Sequence, residues 1–479
     1  MNRTTTSPAL SPTPAKKPGI FINGNFGRLW LGHTISVFGN FIFDTTLVLW
    51  IAAVIARGQE WAPLAVSGIF IAMSVPILVV GPIAGVFVDR WSKRGTMLVM
   101  DALRAVLVGL LILTAGIVPL PFLPGGRLPL YWQLGVIYAV VFLLNALSQF
   151  FRPASLALIG DIVPEETQTR AMGLDQTSMS IATILGPTLA APIFVAFGPE
   201  WALGINALSF VVSFLLIQTV AAPPSARSVA EGTRPNFWKE FGLGLRYFLR
   251  SRVLVVLTTA AAILMFGGGA LNTLDYFFVT GNLHAPDFYF GIVQGVMGVG
   301  MILGAILAGA FAQKIGLTRT LWLSLLGMAA LVTVYARSAD IWVAIVVIGL
   351  AGIAQAAVNV AAGPLILQSA PREMIGRVSS ILNPLIMLSS LIGAALAGYL
   401  DSTVLRGFSV TLLSIHFGPV DTIFTAAGVI GLIGAIFAMV GLWGVRPVVH
   451  QPEAQGSTDT PVTVAMPPLA TEEEDLVLG

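Results

Sequence analysis

Asp44, Arg152 and Asp275 stand inside long stretches that are otherwise apolar. An ionised group costs about 2.5–3.5 kcal/mol at the centre of a membrane helix on insertion scales, so three of them cost about 9 kcal/mol. That is comparable with the whole stability of a typical domain. These residues are therefore expected to face a water-filled cavity or a partner, not lipid. Burial disfavours the charged form of a carboxyl, so Asp44 and Asp275 are candidate proton carriers or cation contacts. They sit at comparable places in the first and seventh apolar stretches. Arg152 is a candidate contact for an anionic substrate group, or a counter-charge for Asp44. Gln149, Asn272, Gln355 and Asn359 are candidate cavity residues. Asn145, Asn206 and Gln294 could serve likewise, or each of these amides could bond a neighbouring helix. Phe41, Phe43, Trp50, Phe150, Phe151, Tyr276 and Phe277 are candidate aromatic walls. Asp101 and Arg104 are three residues apart, share a helix face and read as a structural pair. Asp175 is ambiguous.

Other chemistry is poorly represented. There are no cysteines, and the four histidines (His33, His284, His416 and His450) are scattered, so no metal centre and no cofactor are expected. No phosphate-binding glycine loop is present, so ATP is not expected to act directly. A membrane enzyme would need acids, histidines or a metal set clustered at one face, and none is found. A receptor would need a large soluble domain, and the loops are short.

The elements that position these residues follow from hydropathy. The chain has 479 residues, 56% hydrophobic and 10% charged, with a mean hydropathy of +0.88. A soluble domain carries about 25% charged residues. Spans of roughly 20 apolar residues cross a bilayer core as helices. They are expected at 27–56, 64–88, 95–117, 131–160, 171–197, 199–220, 252–281, 288–312, 319–336, 340–368, 374–400 and 418–445. This is an all-α integral membrane protein of twelve transmembrane helices in two pseudo-symmetric six-helix bundles, 27–220 and 252–445. Residues 1–26 and the acidic tail 446–479 are expected to be disordered and cytoplasmic, with no cleavable leader. The linker 221–251 carries Phe237, Phe241, Leu245 and Phe248 at helical spacing, which predicts an amphipathic helix on the membrane surface.

The halves echo each other. Pro164, Arg170 and Gly186 recur as Pro371, Arg377 and Gly393 at one offset, and Gly85-x-x-x-Asp89-Arg90 recurs as Gly309-x-x-x-Gln313-Lys314. Repeats of six spans point to a transporter with a site between the halves. Gly85 to Arg94, with Asp89 and Arg90, resembles motif A of the major facilitator superfamily. Ala182-x-x-x-Gly186-Pro187-x-x-Ala190-Ala191 is similar to its antiporter motif C, with alanines in place of three glycines. Phe151-Arg152-Pro153-Ala154 and Val163-Pro164-Glu165-Glu166 resemble macrolide-efflux and siderophore-exporter-like members of the third drug:proton antiporter family.

The resemblance implies the major facilitator fold and a monomer. It also implies export of an amphipathic small molecule by alternating access, coupled to protons. An anionic lipid or siderophore-like substrate is the alternative. In that family the motif A acid, here Asp89, meets the start of span eleven. Arg90 and Arg94 are then expected to pair with Asp161 and latch the cytoplasmic side shut, with Gly85 allowing close packing. Gly186 and Pro187 would kink span five. The arginine that many proton-driven drug exporters carry near the start of span four is missing; Arg152 comes about two turns later.

A net charge of +2, with all basic residues but Arg104 and Arg152 in loops or at span ends, argues against nucleic acid and for membrane topology. With the N-terminus inside, 19 of the 25 Lys and Arg residues fall on the cytoplasmic side and 4 on the other. Both termini are then cytoplasmic in the cell membrane. Alkaline phosphatase fused after Arg127 or Arg337 should be active in cells, and inactive when fused after Arg94 or Arg250. The reverse pattern would invert the topology.

Overall fold

The structure, a computed structural model, describes residues 22–88, 90–114, 128–221, 237–412 and 415–443. Among these, twelve helices are long and apolar enough to cross a bilayer. Spans one to six are Gly24–Ile55, Ala62–Ala84, Lys93–Leu113, Leu130–Ile162, Glu165–Phe197 and Pro199–Gln218. Spans seven to twelve are Arg252–Asn282, Phe288–Ile315, Leu317–Ala336, Ile341–Ser369, Met374–Val404 and Pro419–Gly441. Helices are the natural solution here, because a spanning segment must satisfy its own backbone groups. Their starts are sealed locally. The Asn23 side chain accepts from the Phe26 amide at 2.8 Å, and Asp340 accepts from Trp342 at 2.8 Å and Val343 at 3.2 Å. Pro199 and Pro419 open spans six and twelve, where no amide donor is required. Large aliphatic side chains point outward, among them Ile306 (70% exposed) and Ile433 (61%), as expected of lipid-facing helices.

Each half has its own core. Leu47, Ile69, Ile137, Val141 and Phe210 centre the first; Leu274, Phe278, Tyr335 and Phe424 centre the second. The repeat is visible in packing. Gly186 of span five abuts Phe41 of span one, and Gly393 of span eleven abuts Phe266 of span seven. Spans one and seven both end in a π-helical turn, Ile51–Ile55 and Phe278–Asn282. These landmarks correct the expected equivalence of the two acids. Asp44 comes three residues after its glycine contact and Asp275 nine after its own, so the acids stand at different depths.

The halves touch at the end remote from the described termini. Gly291 and Gly298 of span eight meet Pro187, Ala191 and Ile184 of span five. Gly398 of span eleven meets Pro63 and Ser67 of span two, and the Leu64 amide donates to Ser402 Oγ at 3.1 Å. An Arg406–Glu60 ion pair joins loops of the two halves there. Toward the terminal end, spans five and eight part around a cleft of about 300 Å³. The expected latch held that terminal side shut; the structure is closed at the other side. Asp89 lies outside the described residues, as do 1–21 and 444–479. Asp161 pairs with Lys93 at 2.6 Å, not with Arg90 or Arg94. Arg94 instead donates to the Ile217 and Gln218 carbonyls, orphan acceptors at the end of span six. Arg90 is exposed.

The linker helix, Phe237–Arg250, is docked as well as amphipathic. Gly244 sits against Arg377, Tyr247 Oη donates to the Ser369 carbonyl at 3.0 Å, and Phe248 is buried among Leu254, Val378 and Leu382. The side chains of Phe237, Lys239 and Phe241 fall outside the described residues. One departure from an all-α chain is a short antiparallel hairpin, Val410–Leu412 with Ile415–Phe417, between spans eleven and twelve. Arg337 lies over the Phe417 ring at 4.5 Å and pairs with Asp421 at 2.9 Å.

A Cβ added at Gly291 would stand 2.6 Å from both the Pro187 carbonyl oxygen and Ala191 Cβ. Gly291→Val should force spans five and eight apart. Overpacking of this kind costs about 1–3 kcal/mol. A lower melting temperature in detergent would register it, together with faster cysteine labelling of the remote end in a single-cysteine variant.

Candidate functional site

Span seven places Asn272 and Asp275 one turn apart, on the face turned into the second half. Asp275 is buried, and both carboxylate oxygens are occupied. Tyr335 Oη of span nine donates to Oδ1 at 2.6 Å, and Gln294 Nε2 of span eight donates to Oδ2 at 3.1 Å. Charge-assisted bonds of this kind hold an ionised or proton-sharing carboxyl where hydrocarbon would not. Asp275, Asn272 and Gln294 line a cavity of about 340 Å³ with Gln355 and Asn359 of span ten and Ser390 of span eleven. Gln355 Nε2 donates to Asn359 Oδ1 at 3.4 Å.

The walls differ from expectation. They are four methionines, Met265, Met297, Met301 and Met328, with glycines and aliphatic residues, and no aromatic ring among the described residues. Thioether side chains are flexible and polarisable, so they fit varied apolar shapes. Met301 and Asn359 also border the cleft between spans five, eight and ten, so cavity and cleft adjoin.

The expected aromatic walls are elsewhere. Phe43, Trp50 and Phe151 are buried in the core of the first half. Phe150 stacks on Trp91 at 5.9 Å. Phe41 fills the contact with Gly186. Tyr276 joins the core of the first half across the closed end and donates to Asp287 at 3.0 Å, with Phe277 beside it. Gln149 donates to the Asn145 carbonyl of its own helix at 3.2 Å. Asn206 is buried against Gly39 between spans six and one.

The remaining ionisable groups divide in two. Asp101 and Arg104 are sealed inside the first half. Arg104 pairs with Asp101 and lies between the Phe151 and Phe210 rings at 4.4 and 4.6 Å, while Ser213 donates to Asp101 at 2.6 Å. Asp44 is half-buried and makes no hydrogen bond or ion pair among the described residues. Arg152 is exposed and does not reach Asp44; its charge acts on Asp175. Asp175 in turn is bound to His33 at 2.8 Å.

Sequence reasoning missed the His33–Asp175 contact and the Tyr335 bond to Asp275. Each joins residues far apart in the chain, and neither leaves a local pattern. Among the described residues no group of three or more acids and histidines is placed to hold a metal ion.

Comparison with known proteins agrees with this architecture. The profile of a family described as transmembrane secretion effector matches residues 19–415. An uncharacterised major facilitator-type transporter of Bacillus subtilis (strain 168), YkuC, is 24% identical over 432 residues, covering 88% of this chain and 93% of that one. Macrolide efflux protein A of Streptococcus pyogenes is 22% identical over 374 residues, covering 78% and 88%. The crystal structure of a bacterial homologue of the iron transporter ferroportin, in an inward-facing state, superposes with a TM-score of 0.66 at 14% identity. That match covers 87% of this chain and 97% of the other.

Tyr335→Phe keeps the ring and removes one donor to a buried carboxylate. A hydrogen bond to a charged group is worth about 1.5–3 kcal/mol. The variant should melt earlier in detergent than the wild type, whereas Tyr289→Phe, at a half-buried ring with no such bond, should not.

Proposed function

Because this chain belongs to the transmembrane secretion effector family of major facilitator transporters, we propose that it exports amphipathic small molecules bearing a positive charge. One observation carries the choice of substrate: among the described residues the cavity is lined by one carboxylate, Asp275, several amides and four methionines, and by no basic residue. An organic cation would find a counter-charge there, and its apolar body would find adaptable walls. An anion would find no counter-charge, since Arg152 does not line the cavity. The relative named as a macrolide efflux protein supports export of bulky amphipathic molecules.

Transport proceeds by alternating access. With both termini in the cytoplasm and the chain in the cell membrane, the open end faces inward and the structure is the loading state. Glycine contacts between spans five and eight and between spans two and eleven close the outer side. Reopening requires the Arg406–Glu60 pair and the Leu64–Ser402 bond to break. Inward proton movement drives the cycle, at about 2.3 kcal/mol per charge per 100 mV. Asp44 is a proton carrier in the first half, because among the described residues it has no partner to hold its charge fixed. Asp275 meets the substrate in the second. The protein works as a monomer, since each half supplies one of these groups.

The test is transport by proteoliposomes under an imposed pH gradient, with ethidium, a macrolide and a lysophospholipid as probes. The gradient should drive accumulation of ethidium and the macrolide but not of the lysolipid. Asp275→Asn should weaken half-saturation by roughly 10- to 100-fold, the loss expected for one charge-assisted contact. Preferential lysolipid movement, or an unaltered Asp275→Asn, would refute the substrate assignment.

A further inference from the structure

In the first half a second ionisable contact faces the seam between spans one and five. His33 Nδ1 lies 2.8 Å from Asp175 Oδ1, with side chains 23% and 28% exposed. One residue on, Thr34 Oγ1 donates to Ser178 Oγ at 3.0 Å, so two polar contacts cross the seam side by side. Asp101 and Arg104, by contrast, are 0% and 3% exposed. Of the two pairs, only the first is partly exposed.

The surroundings define its charge. Arg152 of span four acts on Asp175, and His33 acts on Asp101 of span three. Phe151 stands between the His33 ring, at 5.7 Å, and the Arg104 guanidinium, at 4.4 Å. Asp101 and Arg104 neutralise each other, and Asp175 is balanced by Arg152. A neutral His33 therefore leaves the group without net charge, and one added proton makes it +1. With Nδ1–H donated to Asp175, Nε2 is the atom that gains the proton.

Position gives this proton a route. His33, Val37, Phe41 and Asp44 recur at three- and four-residue spacing, so they share one face of span one. Phe41 packs on Gly186 between the two acid-bearing levels. His33 lies on the side of this contact nearer the open end, and Asp44 lies beyond it. Eleven residues of helix separate them, about 16 Å.

We propose that His33 and Asp175 form the proton-release station of the first half, where a proton carried past the Phe41–Gly186 contact from Asp44 passes to the water of the open end. This rests on the proton-coupled reading above. It adds a titratable bridge between span one and span five, the helix that carries Gly186 and Pro187.

The experiment uses the full chain in proteoliposomes containing a trapped pH indicator, with ethidium as the probe. Wild type, His33→Gln and Asp175→Asn are compared for proton movement driven by an ethidium gradient and for ethidium counterflow at equal pH. The expected result is proton movement reduced to that of protein-free vesicles in both variants, while counterflow persists. Retention of wild-type proton movement by both variants would overturn the proposal. So would loss of counterflow together with proton movement, which would make the pair a structural strut. If the wild type itself moves no protons, the coupled reading fails and the station falls with it, an outcome distinct from protons moved equally by the wild type and both variants.

Discussion

The cost of an unpartnered charge in hydrocarbon governs this structure. Among the described residues Asp101, Arg104, Asp275, His33 and Asp175 are each tied to a partner inside the spans, where the bilayer supplies no hydrogen bonds. The solutions differ with depth and access. Asp101 and Arg104 are sealed together between two aromatic rings. Asp275 is held by a phenol and an amide at the edge of a cavity. His33 and Asp175 reach each other across two helices and stay partly exposed. These three arrangements form a series from sealed to exposed.

Small residues supply the complementary feature. Where the halves meet, glycines of spans eight and eleven let backbones approach closely. Away from that end spans five and eight diverge, and the cleft between them adjoins the cavity beside Asp275. Closing one end and opening the other are thus two aspects of one packing arrangement. The halves share a fold and are chemically unequal. The first carries a basic-and-acidic network on its seam, and the second an acidic cavity lined with methionines.

Much of this was legible in the chain. Apolar runs located the twelve spans to within six residues. Asn272, Asp275, Gln355 and Asn359, singled out by residue type, line one cavity. The aromatic residues were misplaced for a physical reason. A helix that is apolar all round gives no periodic sign of which face meets lipid, core or cavity, so Phe43, Trp50 and Phe151 looked available when they are core. The pairing of Asp161 went to Lys93 because that side chain reaches it, while Arg94 found unpaired carbonyls at the end of span six.

The chain by itself determined the number, length and order of the helices and the expense of a few charges within them, because hydropathy and helix capping are local properties. Only the tertiary structure decided which groups share a site. The bonds of Asp275 to Gln294 and Tyr335, and of His33 to Asp175, link residues on separate helices. Their meeting depends on how whole helices pack, and on glycine contacts that set the angle between halves; neither is written in any short stretch of residues.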